Sequence, residues 1–339
     1  MSKYANNDFF SISSNIDIYI KDTSVYFIAD DINIIEDCNI ELLSAINNLK
    51  AGCEFNVIKS ILGEIRAEEL IDTLLENDFI TYNYKNMYID TIVENQVEYF
   101  STFNKYPNKL QKKLEDSVVC ILGIGGIGSI ALQHLLACGI KKYILIDGDK
   151  VKINNFNRQL IYTKSNIGEY KVHSTREYIK KIDNSIWVEC INKYFNSTND
   201  FNILDKYKID FFICAADKPI KNIRRIVNDY CSNRKIPFTS AGVGIKSGSW
   251  GPIIVPGITI DYEKFEENED KQMTDIEKEI LNSNSIKIIK ASFSPTNSLI
   301  ATFMIKDVIE FLLFGKDCNK IGARFNIEFE NYKIKKFFL

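Results

Sequence analysis

The sequence predicts an α/β protein in two parts, a small module of strands and three helices followed by a larger domain built on a parallel sheet. Three observations carry this. From Val118 onward, short apolar runs alternate with amphipathic helical stretches, the order that builds a parallel sheet. The first of those runs leads into a glycine-rich turn, Gly123-Ile-Gly125-Gly126-Ile-Gly128. Charge also divides the chain. Residues 1–95 carry 6 Lys+Arg against 17 Asp+Glu, while the whole 339-residue chain has a net charge of only -3. Domains are therefore expected at 1–95 and 96–339.

In the first part, Ile16–Ile20 and Ser24–Ile28 alternate in polarity around Lys21-Asp-Thr23 and read as a β-hairpin, with a further short strand at Ile32–Ile35. Three helices follow, over Glu41–Leu49, Glu54–Ile65 and Ala67–Leu75, each with apolar residues at helical spacing. Strands plus three short helices in so few residues suit a winged-helix module. Residues 81–117, rich in Tyr, Asn and Lys, read as a connection.

The second part opens with the strand Val118–Leu122, apolar throughout as a buried parallel strand should be. Helix Ser129–Cys138 stops at Gly139, and a strand follows at Tyr143–Ile146. Helix Lys171–Ile182 and strands Ile186–Cys190 and Ile209–Cys214 continue the alternation, then helix Pro219–Asn233 and strand Pro237–Ser240. Glu263–Glu279 is acidic with weak periodicity and reads as a surface loop holding a short helix. Ser298–Phe314 is a long helix, and Ala323–Phe329 pairs with Tyr332–Phe338 as a final hairpin.

Composition excludes several classes. The chain is 45% hydrophobic and 26% charged, ordinary for a globular protein. A net charge of -11 over residues 1–95 repels phosphate, so the helical module is not expected to bind nucleic acid. The long helix carries Lys306, Asp307 and Glu310 and is a core helix, so no membrane span is expected. The start, MSKYANNDFF, lacks the basic and apolar regions of an export signal. The eight cysteines contain no Cys-x-x-Cys pair, and there are two histidines, His134 and His173, on separate helices. Bound zinc is therefore not expected, and a reducing cytoplasm is the expected setting.

The glycine turn sits between a strand and a helix, where glycine permits close approach of phosphate oxygens and the helix N-terminus favours negative charge. Gly123, Gly125, Gly126 and Gly128 form it. Asp147 ends the next strand, where an acid can bind a ribose hydroxyl, and Asp149 follows. Asn154-Asn-Phe-Asn-Arg-Gln159 then places a fixed cation, Arg158, among the amides of Asn155 and Gln159, a set suited to triphosphate oxygens. Lys171 opens the next helix as a second cation. Asp217 ends a later strand, at the sheet edge where ligands bind, and one carboxylate plus phosphate oxygens suits Mg²⁺.

Taken together, GIGGIGS, IDGDKVKINNFNRQ, GEYK and AADKP resemble the Rossmann-like adenylating domain, with its mixed sheet, of the ThiF/MoeB and ubiquitin-activating enzymes, over roughly residues 96–339. The resemblance implies an ATP-dependent adenylyltransferase acting as a homodimer. Asp147 would bind the ATP ribose, Asn155, Arg158 and Lys171 would surround the phosphates, and Asp217 would hold Mg²⁺, with Gln159 in the same motif. Trp250–Thr259 and Ala291–Ser298 look like the MccB-type branch, which modifies ribosomally made peptides of the microcin kind. Residues 1–95 are similar to the peptide-clamp domains (RiPP recognition elements) of such enzymes, which bind a precursor peptide as an added strand. Two departures stand out. Asp261-Tyr-Glu-Lys264 occupies the place of a zinc Cys-x-x-Cys, and residues 81–122 hold no arginine to reach a neighbouring subunit's triphosphate.

The expected reaction is adenylylation of a peptide carboxylate, with Arg158, Lys171 and Asp217 as the catalytic set. Two alternatives compete. One is activation of a ubiquitin-like or sulfur-carrier protein, which generally needs a nearby thiol, whereas no cysteine lies between Cys231 and Cys318. The other is a non-catalytic peptide-delivery scaffold, disfavoured because Asp147, Arg158, Lys171 and Asp217 are all present.

Overall fold

The structure, a computed structural model, describes residues 2–13, 15–219, 222–271 and 291–338. It divides into two compact units, Met1–Lys112 and Lys113–Leu339, so the split falls later than the composition boundary at 95.

The first unit begins with β1 (Phe9–Ile12), β2 (Asp17–Lys21), β3 (Ser24–Ile28) and β4 (Ile32–Ile35). Strands β2 and β3 form the expected hairpin, with Ile18 opposite Phe27 and Ile20 opposite Val25. Strand β4 covers the other side of β3, so the order is β2-β3-β4 and the free edges are β2 and β4. Helix α1 (Ile40–Ala51) is capped by Asn39, whose side chain accepts the Leu42 N–H. The two-residue β5 (Cys53–Glu54) leads into α2 (Phe55–Leu62) and α3 (Glu64–Glu76). Gly63, at φ 80°, separates these helices and ends α2 before the expected Ile65. Strand β6 (Ile80–Tyr82) completes a second sheet in the order β5-β1-β6. Phe10, Phe27, Phe55, Ile46, Ile58 and Ile71 fill the core with no exposed surface.

Residues 81–117 hold two helices where the composition suggests a connection, α4 (Glu94–Ser101) and α5 (Pro107–Asp116). Helix α4 buries Val97 and Phe100, and α5 buries Leu114 and Gln111. A thin apolar stripe among Lys, Gln and Asp leaves little periodic signal to read.

The second unit is one eight-stranded sheet. It contains β7 (Val118–Leu122), β8 (Lys142–Ile146), β9 (Trp187–Ile191), β10 (Phe211–Cys214), β11 (Phe238–Val243), β12 (Ser247–Trp250), β13 (Ala323–Glu328) and β14 (Ile334–Phe338). The order is β14-β13-β12-β11-β10-β7-β8-β9. From β11 to β9 neighbours run parallel, and from β11 to β14 they run antiparallel. This is the mixed α/β sheet that the motifs imply. Strand β12, Ser-Gly-Ser-Trp, lacks the β-branched residues that mark strands in sequence. Its place between two partners makes it one.

Helices α6 (Gly126–Ala137), α7 (Lys171–Ile182), α8 (Ile223–Arg234), α9 (Tyr262–Lys271) and α10 (Ser294–Phe314) surround the sheet. Helix α10 packs along α6 and across β11 and β12, while α8 packs on β10 and β11. Trp250 stacks between Phe303 and Phe325, and its Nε1 donates to buried Asp307 at 2.9 Å. Helix α9 supplies the short helix expected within Glu263–Glu279; the rest of that stretch lies outside the described residues. The Asp261–Lys264 segment is packed into the fold. The Tyr262 N–H donates to Asn228 Oδ1 at 3.0 Å, and the Tyr262 side chain is buried. Among the described residues, no helix is long and apolar enough to cross a membrane.

Candidate functional site

Strand order reverses between β7 and β10, and their carboxyl ends open the crevice where α/β sheets bind ligands. The glycine turn fills that edge. Gly123 has φ 90°, its N–H donates to Ile146 O at 2.8 Å, and a Cβ there would lie 2.8 Å from Ala216 N. A Cβ on Gly128 would overlap the Gly123 carbonyl oxygen. Glycine is required at both positions because the chain folds back on itself before α6 begins. The first turn of α6 thus points unpaired N–H groups into the crevice.

Asp147 holds this turn. Its Oδ2 accepts the Ile124 N–H at 2.7 Å, and its Oδ1 accepts the Asp149 N–H at 2.7 Å. Lys171 Nζ stands 3.7 Å from Asp147 Oδ2 and 3.1 Å from Asp149 Oδ2. The Tyr194 hydroxyl donates to Asp149 Oδ1 at 2.6 Å. Burial pushes the Asp147 carboxyl above its usual range, against the pull of Lys171 and the two N–H donors. Asp149 goes the other way. Burial would raise it, but the Tyr194 hydroxyl and the Lys171 ammonium together hold it below the usual range. The same hydrogen bond, first, and burial, second, push Tyr194 up to about 12. The two acids and the lysine thus form a preset charge cluster.

The other candidates lie in the segment after β8. Asn155 is buried, and its Oδ1 accepts the Lys152 N–H at 2.9 Å, closing a short 3₁₀ turn. Arg158 Nη1 donates to Asn154 O at 3.0 Å and to Asn157 Oδ1 at 2.8 Å. Gln159 is 2% exposed, and its Oε1 has no hydrogen-bond partner among the described residues. Its Nε2 lies 4.0 Å from where a Gly125 Cβ would be. Asp217, just past β10, is exposed and makes no ion pair or hydrogen bond among the described residues.

The sequence reading gave no site role to Tyr194, nor to Asn297, although Asn297 lies in the Ala291–Ser298 stretch that resembles the MccB-type branch. Asn297, on the first turn of α10, is buried; its Nδ2 donates to Ser292 Oγ at 3.1 Å and to Phe293 O at 2.7 Å. Its carboxamide lies over Gly126 so closely that a Cβ there would meet Oδ1 and sit 3.1 Å from Cγ. Asn157 Nδ2 ties the same segment in, donating to Ser292 O at 2.9 Å. Nothing local in the sequence signals such a contact across more than a hundred residues.

This edge fits a nucleotide. The glycine cradle and helix N-terminus suit phosphate oxygens, and the orphaned, buried Gln159 Oε1 calls for a donor such as a ribose hydroxyl. The open carboxylate of Asp217 fits Mg²⁺ carried in on phosphates.

The ThiF family model matches residues 95–337. The chain belongs to the ThiF family. It is 32% identical over 207 residues to the adenylyltransferase and sulfurtransferase UBA4 of Scheffersomyces stipitis, covering 61% of this chain and 43% of that protein. It is 36% identical over 137 residues to the adenylyltransferase and sulfurtransferase MOCS3 of Arabidopsis thaliana, covering 40% and 29%. The chain thus spans less than half the length of these curated relatives. Among solved structures, Escherichia coli MccB with AMPCPP and selenomethionine MccA superposes with a TM-score of 0.76 at 23% identity, over 97% of this chain and 96% of that one. MccB with ATP gives 0.75 over the same shares. PaaA gives 0.66 at 21% identity, over 95% and 98%. At these identities the likeness establishes the fold, an MccB-like one that includes both units.

Proposed function

We propose that this ThiF-family protein uses ATP to adenylylate the carboxylate of a ribosomally made peptide, and that residues 1–95 hold that peptide. The observation that carries the reading is the carboxyl-edge constellation: a glycine turn fixed by Asp147, with Lys171, Arg158 and Asp217 around it. A nucleotide laid across Gly125–Gly128 receives backbone N–H groups from the first turn of α6. Lys171 and Arg158 supply positive charge where the α-phosphate meets the incoming carboxylate, which displaces pyrophosphate. Mg²⁺ held by Asp217 would add charge neutralisation at the leaving phosphates.

The peptide reading is supported by coverage. The MccB match runs over 97% of the chain and takes in the first unit, whereas the curated relatives match 61% of it or less. The first unit also offers free edges at β2 and β4, where an extended peptide can add as a strand. Within the hairpin β3 is an inner strand, so only β2 is open. Helix α3 turns Ala67, Leu70, Ile71 and Leu74 into the core. A second reading, activation of a carrier protein as the UBA4 and MOCS3 names describe, rests on their 32–37% identity. ATP–pyrophosphate exchange decides between the readings. The peptide reading expects exchange with a short precursor peptide encoded beside this chain; exchange only with a folded carrier protein overturns it. The active form is proposed to be a homodimer, expected to show about twice 39.0 kDa by light scattering.

A further inference from the structure

The segment between β8 and α7 carries a tyrosine to which the nucleotide motifs give no role. Tyr162 is 5% exposed, and its own N–H donates to Gln159 O at 3.3 Å. Its hydroxyl donates to Ile124 O at 3.2 Å and lies 3.2 Å from Thr175 Oγ1. Thr175, on the second turn of α7 and with no exposed surface, donates to Lys171 O at 2.7 Å. One buried hydroxyl thus stands between the glycine turn and the helix that begins with Lys171.

Packing alone does not ask for this hydroxyl. A phenylalanine ring fills the same space, and a buried phenol must find partners or cost free energy. Burial pushes the Tyr162 phenol above its usual range, so it keeps the proton that it donates. The Thr175 hydroxyl has one hydrogen, and its shorter contact, to Lys171 O, takes it. The Tyr162 hydrogen is therefore the one that serves Ile124 O and Thr175 Oγ1.

The consequence falls on Gly125. Ile124 is gripped at both ends, its N–H by Asp147 Oδ2 at 2.7 Å and its carbonyl by Tyr162. The peptide unit that holds the Ile124 carbonyl also holds the Gly125 N–H, and in a trans peptide the two point in opposite directions. With the carbonyl drawn inward to a buried hydroxyl, the Gly125 N–H faces outward, into the crevice. It has no hydrogen-bond partner among the described residues. A Cβ on Gly125 would meet nothing nearer than Gln159 Nε2 at 4.0 Å, so the space in front of the turn is open. An open donor beside the N-terminus of α6 suits a phosphate oxygen. At the other end of the relay, Thr175 holds the carbonyl of Lys171, whose Nζ stands beside Asp147 and Asp149.

We propose that Tyr162 is a positioning residue for the phosphates of the nucleotide. Its hydroxyl sets the Ile124–Gly125 peptide so that the Gly125 N–H faces the phosphates. Through Thr175 it also fixes the start of α7 against that peptide, so that the Gly125 N–H and the Lys171 ammonium keep one spacing. The proposal rests on the reading of this edge as a nucleotide site and is independent of which carboxylate is activated.

The test uses the full chain with Tyr162→Phe, which removes one oxygen and keeps the ring. Amide hydrogen exchange followed by mass spectrometry reads the ligand-free turn. Exchange over residues 123–129 should speed up by roughly ten-fold, the scale of one lost hydrogen bond, while β7 exchanges as in the wild type. In calorimetry ATP should bind about ten-fold more weakly, and adenosine, which carries no phosphate, should lose less than about two-fold. Thr175→Val keeps Tyr162 on Ile124 and cuts the link to Lys171. It should weaken ATP by about five-fold and leave exchange in the turn unchanged. The double variant should bind ATP within about two-fold of Tyr162→Phe alone, because the link is already cut. Unfolding midpoints check that each variant folds, and ATP binding by Thr175→Val decides if Tyr162→Phe does not. Wild-type exchange in the Tyr162→Phe turn overturns the proposal, as does an unchanged ATP affinity or an adenosine loss as large as the ATP loss. Additive losses in the double variant, or wild-type ATP affinity in Thr175→Val, overturn the link to α7. A wild-type chain that binds no ATP refutes the nucleotide reading itself, and exchange over 123–129 then still reports whether the hydroxyl holds the turn.

Discussion

Gly126→Ala is a direct test of how the glycine turn is held. Gly126 opens α6 with a φ outside the left-handed region, so its backbone accepts alanine. The obstacle is external. The new Cβ would overlap Asn297 Oδ1, 3.1 Å from Cγ, and stand 3.3 Å from Arg158 Cδ. Asn297 must swing away, which breaks its hydrogen bonds to Ser292 Oγ at 3.1 Å and Phe293 O at 2.7 Å. Each such bond contributes about 1 kcal/mol net, and overpacking typically costs about 1–3 kcal/mol. Gly126→Ala should therefore destabilise the chain by about 1–3 kcal/mol and weaken ATP binding by roughly ten-fold. Asn297→Ala should cost a similar amount, since it loses the same bonds. In the double variant the clash is gone, so the two costs should fall short of their sum by about 1–2 kcal/mol. Urea unfolding gives the stabilities and calorimetry the ATP affinities. Additive costs, or a Gly126→Ala variant as stable as the wild type, would refute the placement of Asn297 over the turn.

Other expected outcomes follow from the same cluster. Lys171→Met removes the cation from a pocket where Lys171 and Asp147 side chains are 6% and 8% exposed, and breaking a buried pair costs about 3–5 kcal/mol. The Asp147 carboxyl, already raised by burial, then rises further; a raised carboxyl favours the folded state at low pH, so the variant's deficit should shrink as pH falls from about 7 to 4, which thermal unfolding against pH will show. Asp217→Ala should leave the unfolding midpoint unchanged, because the side chain is exposed, and lower pyrophosphate exchange by roughly 10²–10³. Residues 113–339 alone, if folded by circular dichroism, should bind ATP and lose most affinity for the peptide; retention of full peptide affinity would show that the first unit is not a clamp.

Legibility followed periodicity and local chemistry. Helix α7 is read to the residue because Lys171–Ile182 alternates faces cleanly after Gly168. The glycine turn, Asp147 and Lys171 were all visible, since each belongs to a contiguous motif. Helices α4 and α5 were hidden by their polarity, and β12 by a composition that suits turns. The roles of Tyr194 and Asn297 were invisible for another reason. Their roles arise from contacts with Asp149 and Gly126 that only the folded sheet brings about. Even among the visible residues, the division of labour needed the structure: Asp147 spends an oxygen on each of two backbone N–H groups, and Asn155 spends its acceptor on its own turn.

Strand β14 ends the eight-stranded sheet with Ile-Lys-Lys-Phe-Phe. Lys335 pairs with Glu328 at 2.9 Å, and Lys336 sits over the Phe325 ring at 5.5 Å. An open strand edge is a template on which another chain can grow, and bound lysines make that growth costly because an incoming strand must displace charge. The small sheet in the first unit differs, for β4 exposes Ile32 and Ile34 at 62% and 49% with no lysine on the strand. Of these two edges, β14 is guarded against self-association and β4 is left sticky. Concentrated or heated samples should aggregate through β4 before β14, and Ile34→Lys should raise solubility where Lys335→Ile lowers it.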